Sequence, residues 1–418
     1  MPVQHPVTAE VTGTQAWSPW RAVVGFGVVS LSADMVYEGA RAVTGPLLAS
    51  LGASAVLVGL VTGAGEAMAL VLRLFSGTWA DRSGRYWTLT FAGYALTAVC
   101  VPALAVTPFL AGAGLAVACV LILAERTGKA VRSPAKSALL AHAADAIGLG
   151  RGLAVHKALD QAGAVAGPLL VAGVAAVTGA LWPALAILVI PGAVALLILI
   201  GLRRRMGDPA PAPLRAAPDS NRPAARPRDD SARRSAGLPT AFWLFAAASA
   251  ATTAGLVTFG VISFHLSKDG VVPVAAIPLI YAAAMAAEAL AALATGWLYD
   301  SIKGRVLLIL PVLVSAVPAL AFAGAPATAI AGVLIWGTAV GIQDSTVKAL
   351  VADLAPSPRR ATAYGIFAAI QGAAAIVGGA LAGALYERST PALIAAVATT
   401  QIIALVLLII TLRHQQRP

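Results

Sequence analysis

The sequence predicts an all-α membrane protein whose twelve transmembrane helices form two pseudo-symmetric six-helix bundles. Of its 418 residues, 59% are hydrophobic and only 11% are charged, and the mean hydropathy is +0.84. A soluble chain carries about a quarter charged residues, so burial in a core does not explain this excess. Long apolar runs recur between short polar segments, and a charged motif occurs twice, about half a chain apart.

The apolar runs define the elements because about 20 apolar residues cross a bilayer as a helix. An isolated span must satisfy its own backbone hydrogen bonds, and these runs are too long and too weakly alternating for barrel strands. The predicted spans are 22–48, 53–76, 87–107, 109–131, 152–177, 180–202, 240–265, 273–297, 305–324, 327–350, 361–385 and 391–412.

The segment between the sixth and seventh spans has a different composition. Residues 203–238 begin with three arginines, contain several prolines and offer few large apolar side chains, so we expect a disordered linker. It acts either as a topogenic tether or as a regulatory segment, and its arginines can attract anionic lipid headgroups. It separates an N-terminal bundle, 21–202, from a C-terminal bundle, 239–412, with tails at 1–20 and 413–418.

Basic residues indicate the orientation. Almost all Lys and Arg fall on one side of the predicted spans, and only Lys268 and Arg388 fall on the other. Because the basic side faces the cytoplasm, we expect both termini and the linker to be cytoplasmic, in the cell membrane. The net charge of +11 is thus explained by topology, and we expect no nucleic-acid partner. Residues 1–20 show no signal-peptide h-region.

A charged motif follows the second span. It reads Gly77, Asp81, Arg82, Gly84 and Arg85 in the pattern Gly-x-x-x-Asp-Arg-x-Gly-Arg, before Tyr86, and we expect a short turn there. A degenerate copy of the motif follows the eighth span at Gly296, Asp300, Gly304 and Arg305. The pattern resembles the loop between the second and third helices of major facilitator superfamily transporters. Residues 136–173 and 348–383 also repeat a common pattern, which supports a pseudo-twofold relation between the halves.

The resemblance implies a mechanical role for the motif. In the family the motif aspartate associates with the start of the eleventh helix, which here follows Arg359 and Arg360. A carboxylate is stabilised by the positive end of a helix, so Asp81 is predicted to form one half of a cytoplasmic latch. Asp300 is the corresponding candidate near the fifth helix. Alternatively, these charges only determine topology.

Charges inside spans are candidates for function because they are costly in hydrocarbon. In the first helix, Asp34, Glu38 and Arg41 share one face, and we expect them to line a central cavity. Asp34 or Glu38 can carry a proton. The alternative is a static Glu38–Arg41 pair that only fixes packing. Glu66 in the second helix either serves the cavity or pairs with another helix.

The fourth and fifth helices carry partial signatures. Arg126, followed by Gly128, resembles the arginine that drug:proton antiporters place in the fourth helix, where the family links it to the proton pathway. Lys129 and Arg132 are assigned to a basic helix end that serves topology. Gly167 and Pro168 partly match the Gly-Pro antiporter signature of exporters and are expected to bend the fifth helix.

Four further residues complete the candidate cavity set. His156 and Asp160 share a stripe with Gly167, and His156 is either a proton relay or structural. Glu288 lies mid-span in the eighth helix without a partner nearby in sequence. Asp344 in the tenth helix can pair with Lys348, four residues later.

The sequence therefore predicts a secondary active transporter rather than an enzyme. We expect proton-coupled export of a small organic or amphipathic compound, by resemblance to drug:proton antiporter-type exporters. Proton-coupled uptake of an anionic metabolite and a non-transporting sensor or lipid-handling protein are the alternatives. The chain has no Walker-type phosphate loop. We expect protons and a small molecule as partners, no cofactor, no metal and a monomer.

Overall fold

The computed structural model describes residues 18–206, 237–356 and 359–415, and these residues form helices and short connections without a β-strand. The helices of the N-terminal half are α1 Pro19–Ser50, α2 Ala55–Ser83, α3 Tyr86–Ala103, α4 Gly114–Ala144, α5 Leu149–Thr178 and α6 Leu181–Met206. Those of the C-terminal half are α7 Thr240–Lys268, α8 Ile277–Ile302, α9 Ile309–Ala321, α10 Pro326–Leu354, α11 Arg360–Arg388 and α12 Thr390–Gln415.

The twelve predicted spans are confirmed within the described ranges. Eleven helical stretches are long and apolar enough to cross a membrane, and one of them, Val274–Ala321, contains both α8 and α9. The tail residues 1–17 and 416–418 and most of the predicted linker, 207–236, lie outside the described residues.

Two predicted helix ends are wrong, because polar residues continue both helices beyond the apolar runs. The motif that we expected to form a turn is helical as far as Ser83, and only Gly84 and Arg85 connect α2 to α3. Gly84 ends α2 with φ +64°, where its N–H donates to the carbonyl of Ala80 at 2.9 Å. The fourth helix continues to Ala144 rather than 131, so its basic run lies inside a helix.

Helix α7 is interrupted at Leu256–Thr258, between the segments Thr240–Gly255 and Phe259–Lys268. The indole N–H of Trp336 donates to the carbonyl of Val257 at 2.9 Å, which satisfies one backbone group freed by the break. The Phe259 ring packs against the Tyr281 and Trp336 rings, with centroids 4.4 and 5.4 Å apart. The break is therefore fixed in the aromatic core of the C-terminal half.

The two halves meet tightly at one end of the bundle. Here α2 crosses α11 at Gly59 and Gly379, and α1 crosses α7 at Gly45 and Gly260; a Cβ atom on Gly59 or Gly45 would clash with the facing backbone. We call this the closed end. The motif end is the opposite one, which contains Gly84 and the start of α11. Glycine thus brings the backbones of the two halves into direct contact at one end.

Candidate functional site

A cavity of about 380 Å³ lies between the halves, on the motif side of the glycine crossings. Its N-terminal wall carries charge, with Arg41, Glu66 and Arg73. The C-terminal wall is mostly apolar. It is lined by residues of α7, α10 and α11, which include Leu256, Val257, Trp336, Val340, Gln343, Asp344, Val347, Lys348, Tyr364, Phe367 and Gln371. The cavity therefore combines a charged wall with an apolar one, as an amphipathic ligand requires.

An ion-pair network runs behind the charged wall. Glu66 accepts a hydrogen bond from Arg41 at 2.9 Å and lies 3.7 Å from the guanidinium of Arg126. Arg126 also lies 3.8 Å from Glu125, and Arg41 lies 3.8 Å from Glu38. Three helices, α1, α2 and α4, thus place their charges around one cavity-lining carboxylate. Because each charge has partners, the network is compatible with burial in the bundle.

The network reaches the other half through Glu38. This carboxylate is 8% exposed and accepts a hydrogen bond from the hydroxyl of Tyr281 on α8 at 2.5 Å. Glu38 is therefore more than a partner for Arg41, because it links the two bundles.

Tyr37 stabilises the basic residues of α4. Its hydroxyl accepts a hydrogen bond from Arg126, and the ammonium of Lys129 lies 3.4 Å from the centre of its ring. Such cation–π contacts partly replace the hydration that buried cations lose. Arg132 is 4% exposed, lies over the Tyr94 ring at 4.7 Å and hydrogen-bonds to Thr97.

The assignment of Lys129 and Arg132 to a basic helix end is wrong for these two side chains, because both lie within the packed half. A signal for this was present in the sequence. Residues 126, 129, 132 and 136 follow spacings of three, three and four, which place four basic side chains on one helical face.

A second polar cluster lies between α1, α4 and α5. Asp160 accepts hydrogen bonds from Ser30 at 2.7 Å and from Lys157 at 3.0 Å, and Lys136 donates to Ser30 at 3.0 Å. The Asp34 carboxyl group interacts with Asp160 and with the ammonium groups of Lys129 and Lys136. His156 is buried beside this cluster, with 6% exposure.

The structure thus separates the predicted cavity residues into two groups. Arg41, Glu66 and Asp344 line the cavity. Glu38 and Arg126 join it through the network, whereas Asp34, Asp160 and His156 belong to the second cluster. This second set does not line the cavity.

On the C-terminal side, Asp344 and Lys348 both line the cavity, but the described residues contain no ion pair between them. The i,i+4 pair that the spacing allows is therefore absent from the described residues in this conformation. Glu288 is half-buried on α8, within electrostatic range of Asp344 and Glu38. Gln343 and Gln371 complete the polar part of this wall.

The crossing of α1 and α5 depends on small residues. A Cβ atom on Gly163 or Gly167 would clash with the backbone of α1 at Leu31 or Met35. Pro168, next to Gly167, is buried. This contact fixes the position of α1 and, with it, the charges of Glu38 and Arg41.

At the motif end, Asp81 is exposed and accepts a hydrogen bond from Tyr86 at 3.1 Å, within its own turn. Arg82 and Arg85 are also exposed. Asp353, a carboxylate near the end of α10, accepts a hydrogen bond from Tyr299 at 2.8 Å. Gly77 needs no special explanation, since a Cβ atom there would lie 3.5 Å from Pro134, an ordinary contact.

The second motif copy has a different turn. Asp300 is exposed, and the residue three positions later, Lys303, has φ +53°. Gly84 holds the same position after Asp81 and also has positive φ. Gly304 instead lies where a Cβ atom would press on Leu350 and Leu412, next to Arg305. The residue that corresponds to Gly84 is therefore Lys303, and Gly304 has a packing role.

The closed end carries a contact that sequence reasoning missed. The backbone N–H of Ala55, at the start of α2, donates to the Glu387 carboxylate at 2.5 Å. Glu387 lies at the end of α11, in the other half. A carboxylate thus caps a helix N-terminus across the interface, at the end opposite to the predicted Asp81 latch.

Twelve spans in two bundles around a central cavity with one charged wall are the architecture of a polytopic membrane transporter. A sequence model of the Major Facilitator Superfamily matches residues 26–343 and 272–418. The chain belongs to the Major Facilitator Superfamily. Uncharacterized proteins of Mycobacterium tuberculosis and Mycobacterium bovis are each 52% identical to it over 394 residues, which cover 94% of this chain and 93% of theirs.

Solved structures show the same fold. A POT family transporter in complex with 5-aminolevulinic acid gives a TM-score of 0.72 at 13% identity, over 94% of this chain and 96% of that chain. The nucleoside transporter NupG gives 0.67 at 14% identity, over 95% and 100%. A bacterial homolog of the human lysosomal transporter Spinster gives 0.64 at 16% identity, over 96% and 96%. At these identities the likeness concerns the fold alone.

Proposed function

We propose that the protein is a secondary active transporter that works by alternating access and exports a small amphipathic organic compound in exchange for protons. The observation that carries this proposal is the position of Glu66. This carboxylate lines the cavity and is shared by Arg41 and Arg126, and through Arg41 it connects to the Glu38–Tyr281 contact between the halves.

The network provides a physical route for coupling. A proton on Glu66 removes the negative charge that attracts Arg41 and Arg126. Both ion pairs weaken, and each guanidinium group is then free to pair with another carboxylate. Arg41 is within reach of Glu38, and Glu38 holds Tyr281 of the other half. Protonation in the cavity therefore changes an interface contact, and the two bundles rock around the central site.

The walls of the cavity favour an amphipathic cargo. Trp336, Val340 and Phe367 offer apolar surface opposite charged groups on the other wall. The partial signatures at Arg126 and at Gly167 and Pro168 favour export over uptake. The family and the fold favour a transporter over an enzyme. We further propose a monomer in the cell membrane, with both termini and the linker in the cytoplasm.

A second candidate function is proton-coupled uptake of an anionic metabolite. Arg73 favours it, because this arginine lines the cavity and the described residues give it no ion pair within 4.0 Å. An anionic solute would supply the missing partner.

Flux measurements in proteoliposomes test both functions. We expect a pH step across the membrane to drive amphipathic test compounds against the proton flow, and Glu66→Gln to weaken this response by about tenfold or more. If the compounds move in the same direction as the protons, the proposal of export is wrong and proton-coupled uptake is supported. An absence of pH-driven flux across a broad panel would contradict both and favour a sensor or a lipid-handling protein.

A further inference from the structure

Asp344 of α10 is a carboxylate in the cavity wall that lacks a cationic partner. Its side chain is exposed, lines the cavity and makes no ion pair within 4.0 Å among the described residues. Glu66, the other carboxylate of the lining, is already shared by Arg41 and Arg126. A carboxylate that loses part of its hydration is stabilised when a cation pairs with it. Asp344 is therefore the carboxylate of this lining that is open to a positive group of a ligand.

Arg73 of α2 carries the opposite charge on the opposite wall. Among the charged side chains, Asp344 attracts Arg73 most strongly, yet the two make no ion pair within 4.0 Å in this conformation. A negative group that pairs with Arg73 therefore also lies within electrostatic range of Asp344, which repels it. A positive group on the same molecule replaces this repulsion by attraction.

Apolar side chains lie one helical turn from each of these two charges. Val340 precedes Asp344 by four residues on α10, and Leu70 precedes Arg73 by three residues on α2, so each pair shares a helical face. Val340 and Leu70 are half-buried and line the cavity, together with Leu256 of the interrupted helix α7. An apolar body attached to the two charged groups can therefore pack on their closed-end side.

We infer that the cavity binds an organic zwitterion, a molecule that carries an amine group and an acid group on an apolar body. The amine pairs with Asp344, the acid pairs with Arg73, and the apolar body contacts Leu70 and Val340. A purely anionic molecule leaves Asp344 without a cation, and a purely cationic one leaves Arg73 without an anion. This inference rests on the proposed transport function and specifies its cargo. The class fits either direction of transport, so it stands apart from the choice between export and uptake.

Probes with a common aromatic body separate the two charges. Phenylalanine carries both charges, 3-phenylpropionate lacks the amine, and phenethylamine lacks the acid. A second zwitterion, 3-amino-4-phenylbutyrate, has one more carbon between its charges and tests a wider separation. Isothermal titration calorimetry on the full chain in detergent, near neutral pH, measures each affinity. We expect the tighter of the two zwitterions to bind at least about tenfold more tightly than either single-charge probe, the size of one lost charge-assisted contact.

Asp344→Asn tests the contact with the amine. This variant should bind the tighter zwitterion and 3-phenylpropionate about equally, since the amine then meets no carboxylate, and its affinity for 3-phenylpropionate should not fall. Asp353→Asn is the matched control, because it removes the same charge from the same helix. Asp353 is hydrogen-bonded by Tyr299 and lies outside the cavity lining, so this variant should keep the full ranking of the probes.

The outcomes distinguish this inference from the transport proposal. Equal binding of zwitterions and single-charge probes, no binding by any probe, or an unchanged ranking in Asp344→Asn would overturn the cargo class. An absent ranking, with flux that is lost in Asp344→Arg and restored when Arg73→Asp is added, would indicate an ion pair between the halves in place of a ligand site.

Proteoliposomes report pH-driven flux of a wider panel of compounds and test transport separately. Flux without the ranking overturns the cargo class alone. The ranking without flux overturns transport but retains the binding site.

Discussion

At the scale of single residues, Glu66 is where the charges of the N-terminal half converge. Its side chain is 33% exposed toward the cavity, whereas that of Arg126 is only 7% exposed. A ligand or a proton can therefore reach the carboxylate but not the deeper arginine. Removing one partner of such a network leaves the other charges without compensation, which costs more than the pair contributes.

Glu66→Gln keeps the size and a hydrogen-bond acceptor but removes the charge that Arg41 and Arg126 share. We expect a folded protein whose pH-driven flux falls by about tenfold or more, because protonation no longer changes the network. Flux in proteoliposomes at several internal pH values measures this.

Glu125→Gln is the control for this change. Glu125 also approaches Arg126, at 3.8 Å, but is 5% exposed, is hydrogen-bonded by Thr97 and does not line the cavity. It should lower stability and retain the pH response of the flux. Equal loss of the response in both variants would contradict a special role for Glu66.

At the scale of elements, the turn after α8 carries backbone strain. Lys303 has φ +53° and ψ −144°, a region that glycine enters freely and other residues enter at a cost of about 1–3 kcal/mol. Lys303→Gly should therefore raise the free energy of unfolding by about 1 kcal/mol. Unfolding in detergent with increasing denaturant measures this.

Ser301→Gly serves as the control for the turn, because residue 301 lies inside α8. There glycine should lower the free energy of unfolding by up to about 0.5 kcal/mol. A loss of stability in Lys303→Gly as well would show that the ammonium group, which lies 6.0 Å from the Tyr299 ring centre, outweighs the strain.

We expect the proposed Asp81 latch to form only in a conformation in which the motif end is shut. Asp81→Asn should insert normally but transport several times more slowly, because the shut state loses the attraction between the carboxylate and the start of α11. Transport per inserted molecule is the measurement. Tyr86→Phe, which removes only the hydrogen bond to Asp81 seen here, should have little effect. Full-rate transport by Asp81→Asn would contradict the proposed latch.

At the scale of the whole molecule, Glu387 accepts a hydrogen bond from the Ala55 N–H across the two halves, and we expect this contact to stabilise the closed end. Glu387→Gln removes a charge that caps α2 from the other half, worth about 0.3–1 kcal/mol. A cysteine at the buried Ala382, in a background without Cys100 and Cys119, should then react about twofold to fivefold faster. Arg388→Gln, the exposed neighbour, should leave the rate unchanged; equal acceleration would indicate a general effect of charge at this helix end.

The fold was predictable because the bilayer dictates it locally: each span must be apolar and long enough on its own. The site was only partly predictable, since helix periodicity groups residues on one helix and cannot pair different helices. Helix periodicity placed Glu38 near Arg41. It could not place Glu38 near Tyr281, which is 243 residues away in the chain. Likewise, burial of Lys129 and Arg132 depends on aromatic rings that another helix provides.

The glycine crossings at the closed end have a consequence for mutational tolerance. Gly59 and Gly379 touch across the closed end, and any side chain at either position would obstruct this contact. Each half can fold with an alanine there, because the clash lies between the halves. A saturation screen scored separately for surface abundance and for transport should therefore find these positions permissive in the first score and intolerant in the second. Positions with this pattern would identify the residues that come into contact when the two halves close, and no ligand is needed to find them.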